Sequence, residues 1–161
     1  MEIIKAKLID VCKNEKGALI SGPFGSNISS KYFVNNGLPV IRGNNLSVGI
    51  DKFIDEGFVF ITEEKAKELN CYAQSNDIIF TAAGTLGQVG IIPNDSKHEM
   101  YVISNKQVRA RLDSNIIDEL YAYYWFKSPW IKKYLTRNNK GSTVPLLTLM
   151  EIKNIPIHYI V

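Results

Sequence analysis

The sequence predicts an α+β fold, an irregular and mostly antiparallel sheet with a few flanking helices in a single domain. Three observations carry this expectation. Short β-branched and apolar runs recur along the chain, many of them separated by glycine, proline or asparagine. A smaller number of stretches carry helical spacing with capping signals. No Pro/Gly/Ser linker, low-complexity tract or internal repeat divides the 161 residues, which at 45% hydrophobic supply one ordinary core.

Taken in order, the opening MEIIKAKLID alternates charge with apolar residues, so it is neither a signal nor a transit peptide. Strands are expected at Ala18 to Ile20, Leu38 to Ile41 and Phe58 to Ile61. FVFITEEKAKEL then reads as a strand running into a helix, with Thr62 as cap and Glu63 and Glu64 at the positive end of its dipole. Further strands follow at Asp77 to Thr81, Val89 to Ile92, Met100 to Ile103 and Gln107 to Leu112. The strongest helical pattern starts near Ser114, in SNIIDELYAYYWFKS, and Pro129 interrupts it. Residues 130 to 137 continue for a turn or two with Lys132, Lys133 and Arg137. The aromatic residues of this region read as core rather than as a base-stacking surface. Thr148 with Glu151 three residues later is a capping box opening a short helix. NIPIHYI leaves it as an extended segment, because a residue before proline avoids helical angles.

Composition narrows the function. No apolar run approaches a membrane span, so the chain reads as soluble, cytoplasmic and without a membrane partner. Cys12 and Cys71 stand far apart with no Cys or His partner at metal spacing, and His98 and His158 are each alone; no metal is expected. The net charge of +3 is unevenly spread. Residues 51 to 77 hold seven acids against Lys52, Lys65 and Lys67, whereas residues 97 to 140 hold nine bases against four acids. A basic half suits a nucleic-acid partner, and equally describes solvated helix and strand faces.

Catalytic signatures fail one by one. FTAAGTLGQVGII places glycines at 84, 87 and 90 behind an apolar run, but the spacing is GxxGxxG rather than GxGxxG, and no lysine follows as in a P-loop. The residues after Gly87 are β-branched up to Pro93, so no helix N-terminus faces a phosphate, and the glycines form a hairpin tip. GPFGS is not the GxSxG elbow. EEK at 63 to 65 and EIK at 151 to 153 match the E-x-K fragment of some nucleases, without a preceding aspartate in a matching strand. No cofactor is implied. A binding module is the better reading.

Seven segments, in order, resemble a target recognition domain from the specificity subunit of Type I restriction–modification systems. They are GALISGPFGSNI, YFVNNGLPVIRGNNL, FVFITEEKAKEL, NDIIFTAAGTLGQVGIIP, ISNKQVRARL, YAYYWFKSP and NKGSTVPLLTLMEIKNIPI. The resemblance implies a non-catalytic, sequence-specific module for double-stranded DNA. It would read one half of a bipartite target while methyltransferase and restriction subunits do the chemistry. Whole subunits of this family carry two such domains spaced by long helices. Here residues 1 to 161 are expected to form one domain, with the spacer helix absent after Val161; an excised domain, a half-subunit and a piece of a fused enzyme all fit.

Base reading needs polar side chains on projecting loops, and phosphate contacts need cations, hydroxyls and amides. Four loops offer them: Ser26, Asn27 and Lys31; Arg42, Asn44 and Asn45; Thr85 and Gln88; and Arg137, Lys140, Ser142 and Thr143. Each loop also has a purely structural reading, since Gly-Asn-Asn and Gly-Ser are ordinary turn formers and Arg42 can pair with an acid of residues 51 to 56. The alternative to DNA recognition is a protein-interaction domain whose basic face meets an acidic partner. An enzyme for a small ligand would need a deep pocket with converging titratable groups.

Overall fold

Both faces of the central sheet are covered, which is why the runs Ile78–Thr81, Val89–Ile91 and Gln107–Ala110 are buried at every residue. The computed structural model describes residues 1–137 and 145–161. In chain order the elements are β1 (Ile3–Lys7), α1 (Leu8–Val11), β2 (Leu19–Ser21), β3 (Leu38–Ile41), β4 (Val59–Ile61), α2 (Glu63–Leu69) and β5 (Tyr72–Ala73). They continue with β6 (Ile78–Thr81), β7 (Val89–Ile91), β8 (Tyr101–Ile103), β9 (Gln107–Ala110), α3 (Glu119–Lys127), α4 (Pro129–Arg137), α5 (Leu149–Lys153) and β10 (Pro156–Ile160).

The class is α+β as expected, but the strands divide among three sheets. The central sheet runs β2-β9-β6-β7, all antiparallel. A second runs β4-β3-β8-β5, in which β3 and β8 are parallel and the other pairs antiparallel. The third is the ribbon β1-β10, which pairs Ile3 with Ile160 and so joins the two ends of the chain.

Alternation along the central strands sorts their side chains into two cores. Ile78, Phe80, Val108 and Ala110 pack in one core with Ala122, Tyr123 and Phe126 of α3, Ile131 and Leu135 of α4, and Ile152 of α5. Ile79, from the opposite face of β6, packs with Val40, Ile41, Tyr101 and Ile103 of the second sheet. On that same inter-sheet face lie the buried polar residues Thr81, Gln107 and Arg109.

Local signals set the helix starts. Thr62 Oγ1 accepts from Lys65 N at 3.1 Å, and Thr148 and Glu151 form the reciprocal box, at 3.1 and 2.8 Å. The third helix departs from expectation: α3 begins at Glu119, capped by Asp118 Oδ1 accepting from Tyr121 N at 2.7 Å. Residues 114 to 117 instead form a turn on Asp113, whose carboxylate and carbonyl accept from Asn115, Ile116 and Ile117. Pro129 opens α4 at its first position, where its missing N–H costs nothing. The aromatic stretch divides, with Tyr123 and Phe126 buried and Tyr121 and Tyr124 exposed.

Candidate functional site

Three turns meet at one end of the two four-stranded sheets: residues 42 to 45 after β3, 82 to 88 between β6 and β7, and 104 to 106 between β8 and β9. Between them, with Ile28 and Phe33 on a further wall, lies a cleft of about 510 Å³. Its lining includes Arg42, Gly43, Asn44, Thr81, Thr85, Gln88, Ser104, Asn105, Lys106 and Gln107. Among the described residues, two cations and no carboxylate face it.

A polar chain ties the turns together beneath the cleft. The Ser104 hydroxyl donates to Gln107 Oε1, and Gln107 Nε2 donates to Thr81 Oγ1 at 3.5 Å. Thr81 Oγ1 donates to Gln88 Oε1 at 2.9 Å, and Gln88 Nε2 donates to the Gly43 carbonyl at 3.2 Å. The link therefore crosses from the second sheet to the central sheet and back to the turn after β3. Both ends of the Gln88 amide are occupied, so Gln88 positions the neighbouring loop.

The adjacent asparagines of the 42–45 turn have opposite fates. Asn45 is fully buried: Oδ1 accepts from Arg42 N at 3.0 Å, and Nδ2 donates to the Ile54 and Glu56 carbonyls, each at 2.9 Å. It anchors the turn and does not reach the surface. Asn44 is exposed, with one bond to the Gly57 carbonyl at 3.2 Å. Arg42 is half-buried, and its Nε is covered with no hydrogen-bond partner among the described residues. The acids of residues 51 to 56 do not pair with it. Asp55, the nearest in character, accepts instead from Tyr101 Oη at 2.7 Å and Lys97 N at 2.7 Å.

The glycine turn is a hairpin, with Ile78 opposite Ile91 and Phe80 opposite Val89. Gly84 and Gly87 have φ of +100° and +88°, a region that side chains disfavour. A Cβ on Gly90 would stand 2.6 Å from Leu46 Cδ2. Thr85 is exposed at the tip. Pro145 and Leu147 hydrogen-bond along the turn, through Gly84 N to Pro145 O at 3.0 Å and Leu147 N to Ala82 O at 2.7 Å.

Of the residues expected at a binding surface, Arg42, Asn44, Thr85 and Gln88 thus share one cleft. Ser26 and Asn27 are exposed on the 3-10 turn Gly25–Ile28, whose Ile28 lines the cleft. Lys31 is exposed with its ammonium 4.9 Å from the Tyr32 ring. Arg137, exposed at the end of α4, is outside the lining. Lys140, Ser142 and Thr143 fall outside the described residues. Missed from sequence were Asn105 and Lys106, both exposed on the β8–β9 turn, and Phe24, 90% exposed beside Ser26. The signal for the first two was present: a short polar SNK between two apolar strands.

No three His, Cys, Asp or Glu side chains converge as a metal site among the described residues, and no helix there is long and apolar enough to cross a membrane. Burial pushes the Cys12 thiol up to about 12 and also raises Cys71, so neither is a ready nucleophile.

Solved structures share this fold. The S subunit of a Type I restriction–modification system from M. genitalium matches at TM-score 0.62 and 14% identity, over 99% of this chain and 34% of that one. The HsdS subunit from Thermoanaerobacter tengcongensis matches at TM-score 0.64 and 14% identity, over 97% and 32%. A chain from a study of complex assembly and conformational transition of the type I R-M system matches at 0.68 and 14%, over 97% and 33%. This chain thus spans about a third of the length of each. A search of curated proteins finds no match. The family model described as the Type I restriction modification DNA specificity domain matches residues 3–159, nearly the whole sequence. The chain belongs to that family, whose role is the recognition of DNA targets.

Proposed function

We propose that residues 1 to 161 form one sequence-specific DNA-binding domain that reads one half of a bipartite target in the cytoplasm. The domain performs no catalysis; methyltransferase and restriction subunits of the same complex modify or cut the DNA. The observation that carries this reading is the carboxylate-free cleft, ringed by polar turns from both large sheets and holding Arg42 and Lys106. Cations there suit phosphates, and exposed Ser26, Asn27, Asn44 and Thr85 are the side chains for base edges. Lys31, Arg137, Lys140, Ser142 and Thr143 are the further backbone contacts of this proposal, while Asn45 and Gln88 hold the loops.

A low-salt selection on a randomised duplex library tests it. The expected result is an enriched short motif, bound more tightly than random duplex, with affinity falling as salt rises. A domain that meets an acidic protein chain instead would enrich no motif.

A further inference from the structure

A cleft receives a ridge, and the ridge of a duplex is its phosphate backbone; base edges lie recessed in grooves and are reached by protrusions. Arg42 is half-buried in the cleft, whereas Thr85, Asn44 and Ser26 are exposed. We propose that the cleft seats one phosphodiester of the DNA backbone on the Arg42 guanidinium, with Lys106 at its side, so that Arg42 sets position and affinity without reading sequence. This rests on the DNA-binding reading above and assigns the two roles within it.

Four features support the assignment. The buried Nε of Arg42 carries an unused donor, and a covered N–H without a partner is costly unless a ligand completes it. No carboxylate among the described residues lines the cleft to repel an anion or to claim the guanidinium. The backbone of Arg42 is fixed by Asn45, and the next residue is fixed by Gln88, so the side chain is offered from a rigid base. Lys106 is exposed and unpaired in any ion pair among the described residues, which leaves it for the same anion.

The test uses the whole chain with Arg42→Ala and Arg42→Gln, each checked for an unchanged melting profile. Binding is measured against the selected duplex and a random one across a range of salt. Both variants are expected to lose affinity for both duplexes by the same factor, roughly tenfold, with the log–log salt slope smaller by about 1. Neutral methylphosphonates placed singly along the duplex should weaken the wild type at one phosphate and leave the variants indifferent there. A variant that keeps the slope but loses preference at one base position overturns the proposal, because Arg42 then reads a base. So does a methylphosphonate profile shared by wild type and variants. Wild type that binds duplex with no preferred motif sinks the recognition reading while the slope and methylphosphonate results still decide the clamp. Wild type that binds no duplex ends both.

Discussion

Arg109 and Arg111 show how a charge counted as surface potential in the sequence is used inside the fold. Asp77, almost wholly buried, receives Arg111 Nε and Nη2, each at 2.9 Å, and Arg109 Nε lies 3.9 Å away. Arg109 also donates to the Tyr72, Gly17 and Ala18 carbonyls, clamping both large sheets at the end opposite the cleft. Burial lowers the Arg109 pKa from its usual value, and the hydrogen bonds that Arg111 donates to Asp77 raise its own. Lys127 is similarly committed, donating to the Ser47 and Val89 carbonyls while burial lowers its pKa. The basic half is therefore less available to a partner than its letters suggest. Removing one partner of such a buried group leaves the other charges uncompensated. Asp77→Ala should cost roughly 3–5 kcal/mol of unfolding free energy, read by urea denaturation, and a loss under about 1 kcal/mol would contradict this account.

The turns are the elements on which the site depends, and the two asparagines after Gly43 separate their roles. Asn45→Ala strips two carbonyls and one amide of a buried partner and should cost roughly 2–4 kcal/mol. Asn44→Ala removes one exposed bond and should cost less than about 1 kcal/mol. Equal losses in thermal or urea melts would mean that the turn is not anchored through Asn45. Helix starts at Thr62 and Thr148 were legible in the sequence, because a cap is a contact over three residues. The β6–β7 hairpin was legible too, through its glycines. Which of Asn44 and Asn45 turns inward was not, since the partners of Asn45 lie nine and eleven residues away on a separate loop. Gln88 was likewise read as a contact residue because its partner, Gly43, is brought to it only by the stacking of two sheets. The short β5 and the parallel β3–β8 pair were hidden for the same reason: residue 40 meets residue 102, and no local pattern records that.

At the scale of the molecule, burial of ionisable groups sets a direction for pH dependence. Desolvation pushes Tyr101 and Tyr123 from 10.0 up to about 12, helped at Tyr101 by its bond to Asp55, and Cys12 from 9.0 to about 12. All three folded-state values are raised, so between the unfolded and folded values the native state binds more protons than the unfolded chain. Their stabilisation is complete below pH 9.0 and is lost as pH rises toward about 12. The melting temperature should fall over that window, and Tyr101→Phe should make the fall shallower; an equally steep fall would remove Tyr101 from the cause.

The β1–β10 ribbon has a consequence of another kind. Glu2 N donates to the Val161 carbonyl at 3.3 Å and Val161 N donates to that of Glu2 at 3.1 Å, so the chain enters and leaves at one doorway. A unit with adjacent ends behaves as a cassette. It can be lifted from one polypeptide and set into a loop of another, or opened at a surface turn and sealed at its old ends, without any strand changing its neighbours.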